Sequence, residues 1–256
     1  MSGFKSYYTG PMPHVGSQIQ LNKDESHHLI SVLRARERSI ITLFDGTGRS
    51  WNGTLTEANP KQAVVKIESS LQIPLPSCKI ILAQAMPKGK GMEQIIQKAT
   101  EIGISKIIPI KTARTELKLD GERQEKRIER WHTTAVEACK QSGNLLIPEI
   151  TPVQSIKEFL ESIEDIDCLK LNASLEQDAQ PLKSYLKDTI PSSIVWLIGP
   201  EGDFTQNEYQ MARESGFLAI SLAKNVLRIE TAVIYALSIT DYEINNFDQK
   251  MKSKSQ

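Results

Sequence analysis

Val195-Trp196-Leu197-Ile198-Gly199-Pro200-Glu201-Gly202-Asp203-Phe204 is an apolar run that stops at two glycines, and Thr205-x-x-Glu208 follows it directly. The second element is a capping box, in which each side chain satisfies an orphan amide of a helix's first turn, so a helix must open there. Ile194 to Ile198 is apolar at every position, the pattern of a strand buried on both faces of a parallel sheet. Open α/β sheets bind ligands in crevices beyond the carboxyl ends of their strands, and glycine lets a bound molecule approach the backbone closely. An ordinary left-handed turn between strand and helix would read the same way, so Gly-Pro-Glu-Gly alone identifies no site.

Working outward, four more runs have the same buried character: Lys79 to Ala85, Lys106 to Ile110, Asp167 to Leu171 and Ala219 to Leu222. Helical stripes fall between them. Met92, Ile95, Ile96, Ala99 and Ile102 recur at helical spacing, with Gln94, Lys98 and Glu101 facing away and Gly103 placed to end the helix. A second helix runs from about Gln124 to Gln141 and buries Ile128, Trp131, Ala135 and Ala138. Ser155-x-x-Glu158 opens another, and the last begins near Glu230-Thr231 and ends about Glu243, leaving a polar tail over 247–256 that is expected to lack structure. Strand and helix in alternation predict an α/β domain with a largely parallel sheet over residues 77–246.

Residues 1–73 read differently. Ile40 to Phe44, Trp51 to Thr56 and Ala63 to Ile67 are short strand-like runs separated by Asp45-Gly46 and Asn59-Pro60, which predicts a small β-barrel or sheet. Asp24 to Arg38 is a short helical candidate whose Leu29, Val32 and Leu33 face inward and whose Arg34, Arg36 and Arg38 face solvent. Ile73-Pro74-Leu75-Pro76 is a stiff linker, because proline fixes its own φ and extends its predecessor.

The net charge of the 256 residues is zero, which argues against a nonspecific nucleic-acid coat protein. The distribution is uneven: residues 1–75 hold 8 basic and 6 acidic side chains, 76–150 hold 13 and 9, and 151–246 hold 7 and 15. That polarity permits a polyanionic partner without demanding one. Cys78, Cys139 and Cys168 show neither a Cys-x-x-Cys pair nor zinc-ligand spacing, so reduced thiols and no metal are expected. No apolar run approaches the roughly 20 residues of a membrane span, and residues 1–10 lack the apolar centre of a signal peptide, so a cytoplasmic protein is expected. Pro87-Lys88-Gly89-Lys90-Gly91 lacks the order of a phosphate-cradling P-loop and reads as a basic loop. Trp51, Trp131 and Trp196 fall within apolar patterns and read as core or interface.

A second strand end carries a cluster of its own: Leu222-Ala223-Lys224-Asn225-Val226-Leu227-Arg228-Ile229-Glu230-Thr231-Ala232. Taken singly its charged residues suit plain helix capping, since an acid at a helix start faces the positive end of the dipole. Together, in this order, the two segments resemble the RsmE family of SPOUT methyltransferases, whose signatures are Ile-Gly-Pro-Glu-Gly-Gly-Phe and Leu-Gly-x-Arg-x-Leu-Arg-x-Glu-Thr-Ala. His27-His28-Leu29 with Val32-Leu33-Arg34, Lys88, Gln97 through Gly103, and Trp131 through Ser142 are similar to further family motifs, so the resemblance runs from about residue 4 to residue 243.

The resemblance implies a PUA-like β-barrel for RNA binding, followed by a SPOUT domain with a trefoil knot. It also implies a homodimer and S-adenosylmethionine-dependent methylation of N3 of a uridine in 16S ribosomal RNA. Carried over by position, Gly199, Pro200, Glu201 and Gly202 form one cofactor loop, Leu222, Leu227, Arg228, Thr231 and Ala232 the other, and Leu171 and Asn172 the remaining wall. Arg228 stabilises charge on the ring in this reading, and Glu230 is either a proton acceptor or a cap. His27, His28, Arg34, Arg36, Lys88 and Lys98 are the expected RNA contacts. The chain departs from the family at Asp203, Ala223 and Asn225, where the family has glycine, glycine and arginine, and at Gly3, Lys5 and Lys140 through Asn144. Lost arginines weaken phosphate contacts and keep two rivals open: a noncatalytic RNA-binding or ribosome-assembly protein on the same fold, and a SPOUT methyltransferase acting on another RNA.

Overall fold

The computed structural model describes residues 3–89, 91–115, 121–164, 166–176, 178–186 and 189–254. Lys90 of the basic loop and the last two residues of the tail lie outside them. Residues 1–75 and 136–147 form one compact unit, and residues 76–135 and 148–256 form the other.

The first unit contains β1 (Phe4–Tyr7), β2 (Gln18–Gln20), α1 (Lys23–His27), β3 (Ile40–Phe44), β4 (Arg49–Glu57) and β5 (Val64–Gln72). The strands form one sheet in the order β1-β3-β4-β5-β2, antiparallel except for the β1–β3 pair. Two register shifts between β4 and β5 curl it, since each bulge adds twist. Gly53 stands at the first of them: a Cβ there would lie 2.2 Å from the Lys66 carbonyl oxygen, so no side chain is possible. The curled face encloses Leu21, Leu29, Ile41, Leu43, Trp51 and Leu55. A PUA-like curled sheet is therefore present.

The helix expected over 24–38 is shorter. Asn22 caps Glu25, but after His27 the backbone takes a π-helical turn over His28–Val32, with Leu33 N–H donating to His28 O. The wider turn rotates the stripe, so Leu29 stays buried while Val32 and Leu33 are turned out to 58% and 39% exposure. Arg34, just past the cap at Leu33, then adopts left-handed backbone, and Arg38 does so again ahead of β3.

The second unit continues with β6 (Lys79–Ala85), α2 (Gly91–Ile102), β7 (Lys106–Lys111), α3 (Gly121–Ser142), β8 (Glu149–Ile150), β9 (Gln154–Ser155), α4 (Ile156–Ser162), β10 (Leu169–Ala173), β11 (Ser193–Ile198), α5 (Gln206–Glu214), β12 (Leu218–Ile220) and α6 (Ile229–Lys254). All its ladders are parallel, in the order β12-β10-β11-β6-β7-β8 with β9 also on β7. Alternate side chains of the central strands face opposite layers: Ala83, Ala85, Val195 and Leu197 pack with Phe159 and Phe217, while Trp196 on the other face donates Nε1–H to Thr240 of α6 at 3.0 Å. The last turns of α3 count with the first unit.

Two boundaries are corrected. The last strand ends at Ile220, so Leu222 belongs to the loop after it, and α6 continues through residues 247–254 instead of giving way to an unstructured tail. That stretch is polar but contains no glycine or proline, so nothing in its backbone preferences stops the helix.

Candidate cofactor site

The chain enters the parallel sheet at β6, extends to one side through β7, β8 and β9, and fills the other side with β11, β10 and β12. The carboxyl ends of these last three strands converge on a cleft of about 520 Å³, within the roughly 300–1,000 Å³ of small-molecule sites. Ala173, Ser174 and Leu175 come from the end of β10, Gly199, Pro200, Glu201 and Asp203 from the end of β11, and residues 222–223, 225–230 and 232 from the loop behind β12 and the start of α6. Its apolar lining is Leu175, Ile198, Leu222, Val226, Leu227 and Ile229, and its charged lining is Glu201, Asp203, Arg228 and Glu230.

The loop after β11 is held from several directions. Glu201 Oε1 accepts the Lys88 amide at 2.9 Å. Arg114, in the turn after β7, donates through Nη1 to the Gly202 carbonyl and to the Asp203 and Phe204 carbonyls at 3.4 Å. The Ala113 amide donates to Glu208 Oε1 at 2.7 Å, while Oε2 of the same carboxylate accepts from Thr205 N–H and Oγ1–H at 2.8 and 2.9 Å. Glu208 is thus buried with both oxygens occupied, the condition under which a carboxylate is stable out of water.

Asp203 stands at φ 62°, a left-handed conformation that suits the glycine of the family motif. Its side chain offsets the strain locally: Oδ1 accepts from the Phe204 amide at 2.8 Å and from the Tyr209 hydroxyl at 2.7 Å. Burial first, and then the Asp203 carboxylate, push the Tyr209 hydroxyl's pKa up. Behind Ser174, Glu176 pairs with Arg213 of α5 at 2.6 Å.

Of the expected cofactor residues, Gly199, Pro200, Glu201, Leu222, Leu227, Arg228 and Ala232 line the cleft. Leu171 and Asn172 do not: they are buried inside β10, and the wall is made by the three residues that follow. Gly202 lies behind its loop against the Arg114 side chain, and Thr231 is exposed on α6. The Arg228 guanidinium pairs with no carboxylate among the described residues. Glu230 Oε1 sits 3.0 Å from where a Cβ on Gly91 would be, at the start of α2.

Among the expected RNA contacts, His27, Arg34 and Arg36 are exposed on the first unit, and His28 Nε2 lies 4.0 Å from Glu137. On the second unit Lys88 is exposed and Lys98 is paired with Glu101 at 2.9 Å. Among the described residues, no group of three or more His, Cys, Asp or Glu could hold a metal, and no helix is long and apolar enough to cross a membrane.

The residues present suit an adenosyl ligand. An apolar slot is available for a purine, and the amides of 222–227 have no hydrogen-bond partner among the described residues, which leaves backbone donors along one edge. Sequence reasoning missed Ser174, Leu175, Asn225 and Val226 as lining, and Arg114 as an anchor; an arginine after a strand carries no signal of the carbonyls it will meet.

The RNA methyltransferase domain family matches residues 74–241, and the RNA methyltransferase PUA domain matches residues 21–68. Ribosomal RNA small subunit methyltransferase E of Synechocystis is 32% identical over 89% of this chain and 74% of its own length. Its Bacillus subtilis counterpart is 32% identical over 88% and 90%. The chain belongs to the RsmE family. Among solved structures, ribosomal RNA small subunit methyltransferase E from Neisseria gonorrhoeae bound to S-adenosyl methionine is 33% identical with a TM-score of 0.84, covering 93% of this chain and 96% of that one. The RsmE signature loops are the two that flank the cleft.

Proposed function

We propose that the chain uses S-adenosylmethionine to methylate N3 of a uridine in the 16S RNA of the small ribosomal subunit. The observation that carries this reading is the meeting of both RsmE loops on one cleft with apolar lining and with backbone amides that have no partner among the described residues. A homodimer working in the cytoplasm, and the trefoil knot of the SPOUT class, belong to the same reading; Tyr235 and Tyr242, exposed seven residues apart on α6, are suited to contact a second copy.

When bound, the cofactor supplies an electrophilic methyl group on a sulfonium. The residues of this chain must hold it, hold the uracil ring in line, and manage charge, because N3 carries a proton at neutral pH and its removal leaves negative charge on the ring. Leu222, Val226 and Leu227 grip the apolar part of the cofactor, and the loop from Gly199 to Asp203 closes the other wall. Arg228, exposed at the cleft and without a carboxylate partner among the described residues, would stabilise the ring charge as N3, its proton lost to solvent, bonds to the methyl carbon and the sulfur leaves as the thioether. For Glu230, the position of Oε1 against Gly91 supports an anchoring role that fixes the start of α6 to α2. His27, His28, Arg34, Arg36, Lys88 and Lys98 are proposed to dock the RNA.

The test is transfer of labelled methyl from S-adenosylmethionine to small subunits lacking uridine methylation, beside free 16S RNA, with the product nucleoside identified by mass spectrometry. Formation of 3-methyluridine is expected. Cofactor binding with no transfer to either substrate would favour the noncatalytic rival, and a different methylated nucleoside would favour another target.

A further inference from the structure

We propose that Asp203 makes the cofactor cleft discriminate by charge, holding the sulfonium substrate in preference to the neutral thioether product. The proposal rests on the cofactor reading above and concerns a residue where this chain departs from the family glycine.

Four charged side chains line the cleft: Glu201, Asp203, Arg228 and Glu230. Of the two carboxylates besides Asp203, one has a single donor and one has no hydrogen-bond donor among the described residues. Glu201 accepts the Lys88 amide at 2.9 Å, and Glu230 Oε1 lies against Gly91 in the first turn of α2. Asp203 differs. The Phe204 amide and the Tyr209 hydroxyl both approach Oδ1, at 2.8 and 2.7 Å, and Oδ2 has no partner among the described residues. Two donors on one oxygen fix the carboxylate's orientation, and no cation pairs with it among the described residues. Oδ1 is 3.4 Å from where a Cβ on Gly199 would stand, so the group rests over the glycine that closes β11.

A fixed anion on a cleft wall acts on the charge of whatever fills the cleft. S-adenosylmethionine and S-adenosylhomocysteine share adenosine, amino group and carboxylate. They differ in a methyl group and its positive charge. Contacts to the shared parts bind both equally, so discrimination must come from a group that senses the sulfur's charge, and Asp203 is the lining carboxylate whose direction two donors fix. It therefore favours release of the product after each transfer.

The test is calorimetric titration of the whole chain and of Asp203→Asn with S-adenosylmethionine and with S-adenosylhomocysteine. Asparagine keeps the Oδ1 acceptor and tolerates the left-handed backbone while losing the charge. The unaltered chain should bind the methylated form more tightly, and Asp203→Asn should reduce that ratio about fivefold, mainly by weakening the sulfonium ligand. Asp203→Gly, which suits φ 62° without any side chain, should shift the ratio the same way and serves if the asparagine variant does not fold. An unchanged ratio in a folded variant that binds both ligands overturns the inference alone. Failure of the unaltered chain to bind either ligand overturns the cofactor reading and this inference with it.

Discussion

The hydroxyl of Tyr209, on α5, donates to Oδ1 of Asp203, in the loop after β11, at 2.7 Å. One buried group therefore ties α5 to the loop that walls the cleft after β11. Tyr209 lies in the core beside Phe204, edge to face with ring centroids 5.5 Å apart, so its position is set by packing before any ligand arrives.

Tyr209→Phe keeps that packing and removes the tie. Loss of a buried hydrogen bond costs about 1 kcal/mol, and the Asp203 carboxylate loses its side-chain donor. The expected outcome is a small fall in melting temperature with cofactor affinity down about three- to tenfold, read by calorimetric titration. Unaltered affinity would show that the Phe204 amide alone fixes Asp203.

Cys139 ties stability to pH. Burial pushes its thiol up to about 12, from 9 in an exposed cysteine. A raised pKa means that the folded state keeps the proton where the unfolded chain releases it. The contribution is thus whole below pH 9 and is lost as pH rises from there toward 12. Urea midpoints measured from pH 8 to 11 should fall less steeply in Cys139→Ala than in the unaltered chain. Parallel slopes would show that the thiol is not held protonated.

Much of this architecture is legible in the amino-acid order, for identifiable reasons. Strands such as Lys79–Ala85 and Ser193–Ile198 are buried on both faces, so their apolar runs mark them directly. The capping boxes at Ser155 and Thr205 form with both reciprocal hydrogen bonds, because they depend on residues only three apart. What escapes sequence reading depends on distant partners. The π turn at His28 carries no composition cue, and neither does the second piece of the first unit, where Gly48 N–H donates to Leu145 O and Gly46 packs on Ile147. At the cleft, the family motifs mark the loops after β11 and β12, but the wall after β10 is displaced two to three residues from Leu171 because the strand runs on to Ala173.

Gly199→Ala tests how tightly the loop is built. The new Cβ would lie 3.1 Å from the Phe204 ring and 3.4 Å from Asp203 Oδ1, and the ring is wedged in the core below. Overpacking of this kind costs about 1–3 kcal/mol, and here the strain displaces the cleft wall. Cofactor affinity should drop about tenfold while the fold persists. An affinity within about twofold of the unaltered chain would mean that Phe204 yields without moving the loop.

In the first unit, Lys140 is 7% exposed and pairs with Glu25, itself 13% exposed, and with Glu137 at 2.8 Å. Glu25 also accepts from Ser6 Oγ at 2.6 Å and from the Tyr7 amide at 3.1 Å, so this carboxylate pins the end of α3 to β1. Lys140→Met removes this cation from it. Removing one partner of a buried pair costs about 3–5 kcal/mol, much more than the pair contributes over an apolar replacement of both. Hydrogen exchange should therefore accelerate selectively in β1 and α1. A double Glu25→Leu, Lys140→Met variant should recover most of the protection, and its failure to do so would show that Ser6 and Tyr7 depend on the carboxylate itself.

Arg228 and Glu230 are two residues apart at the start of α6, and their variants should fail differently. Arg228 has no carboxylate partner among the described residues, so Arg228→Ala should leave cofactor affinity within about threefold while lowering kcat about 10²- to 10³-fold, the loss seen when a charge-stabilising donor is removed. Glu230 touches the start of α2, so Glu230→Gln should weaken cofactor binding and lower the melting temperature together. Single-turnover methyl transfer at saturating cofactor separates the two. Full turnover in Arg228→Ala would sink its assignment as the stabiliser, whereas lost turnover with normal binding in Glu230→Gln would make that carboxylate the proton acceptor.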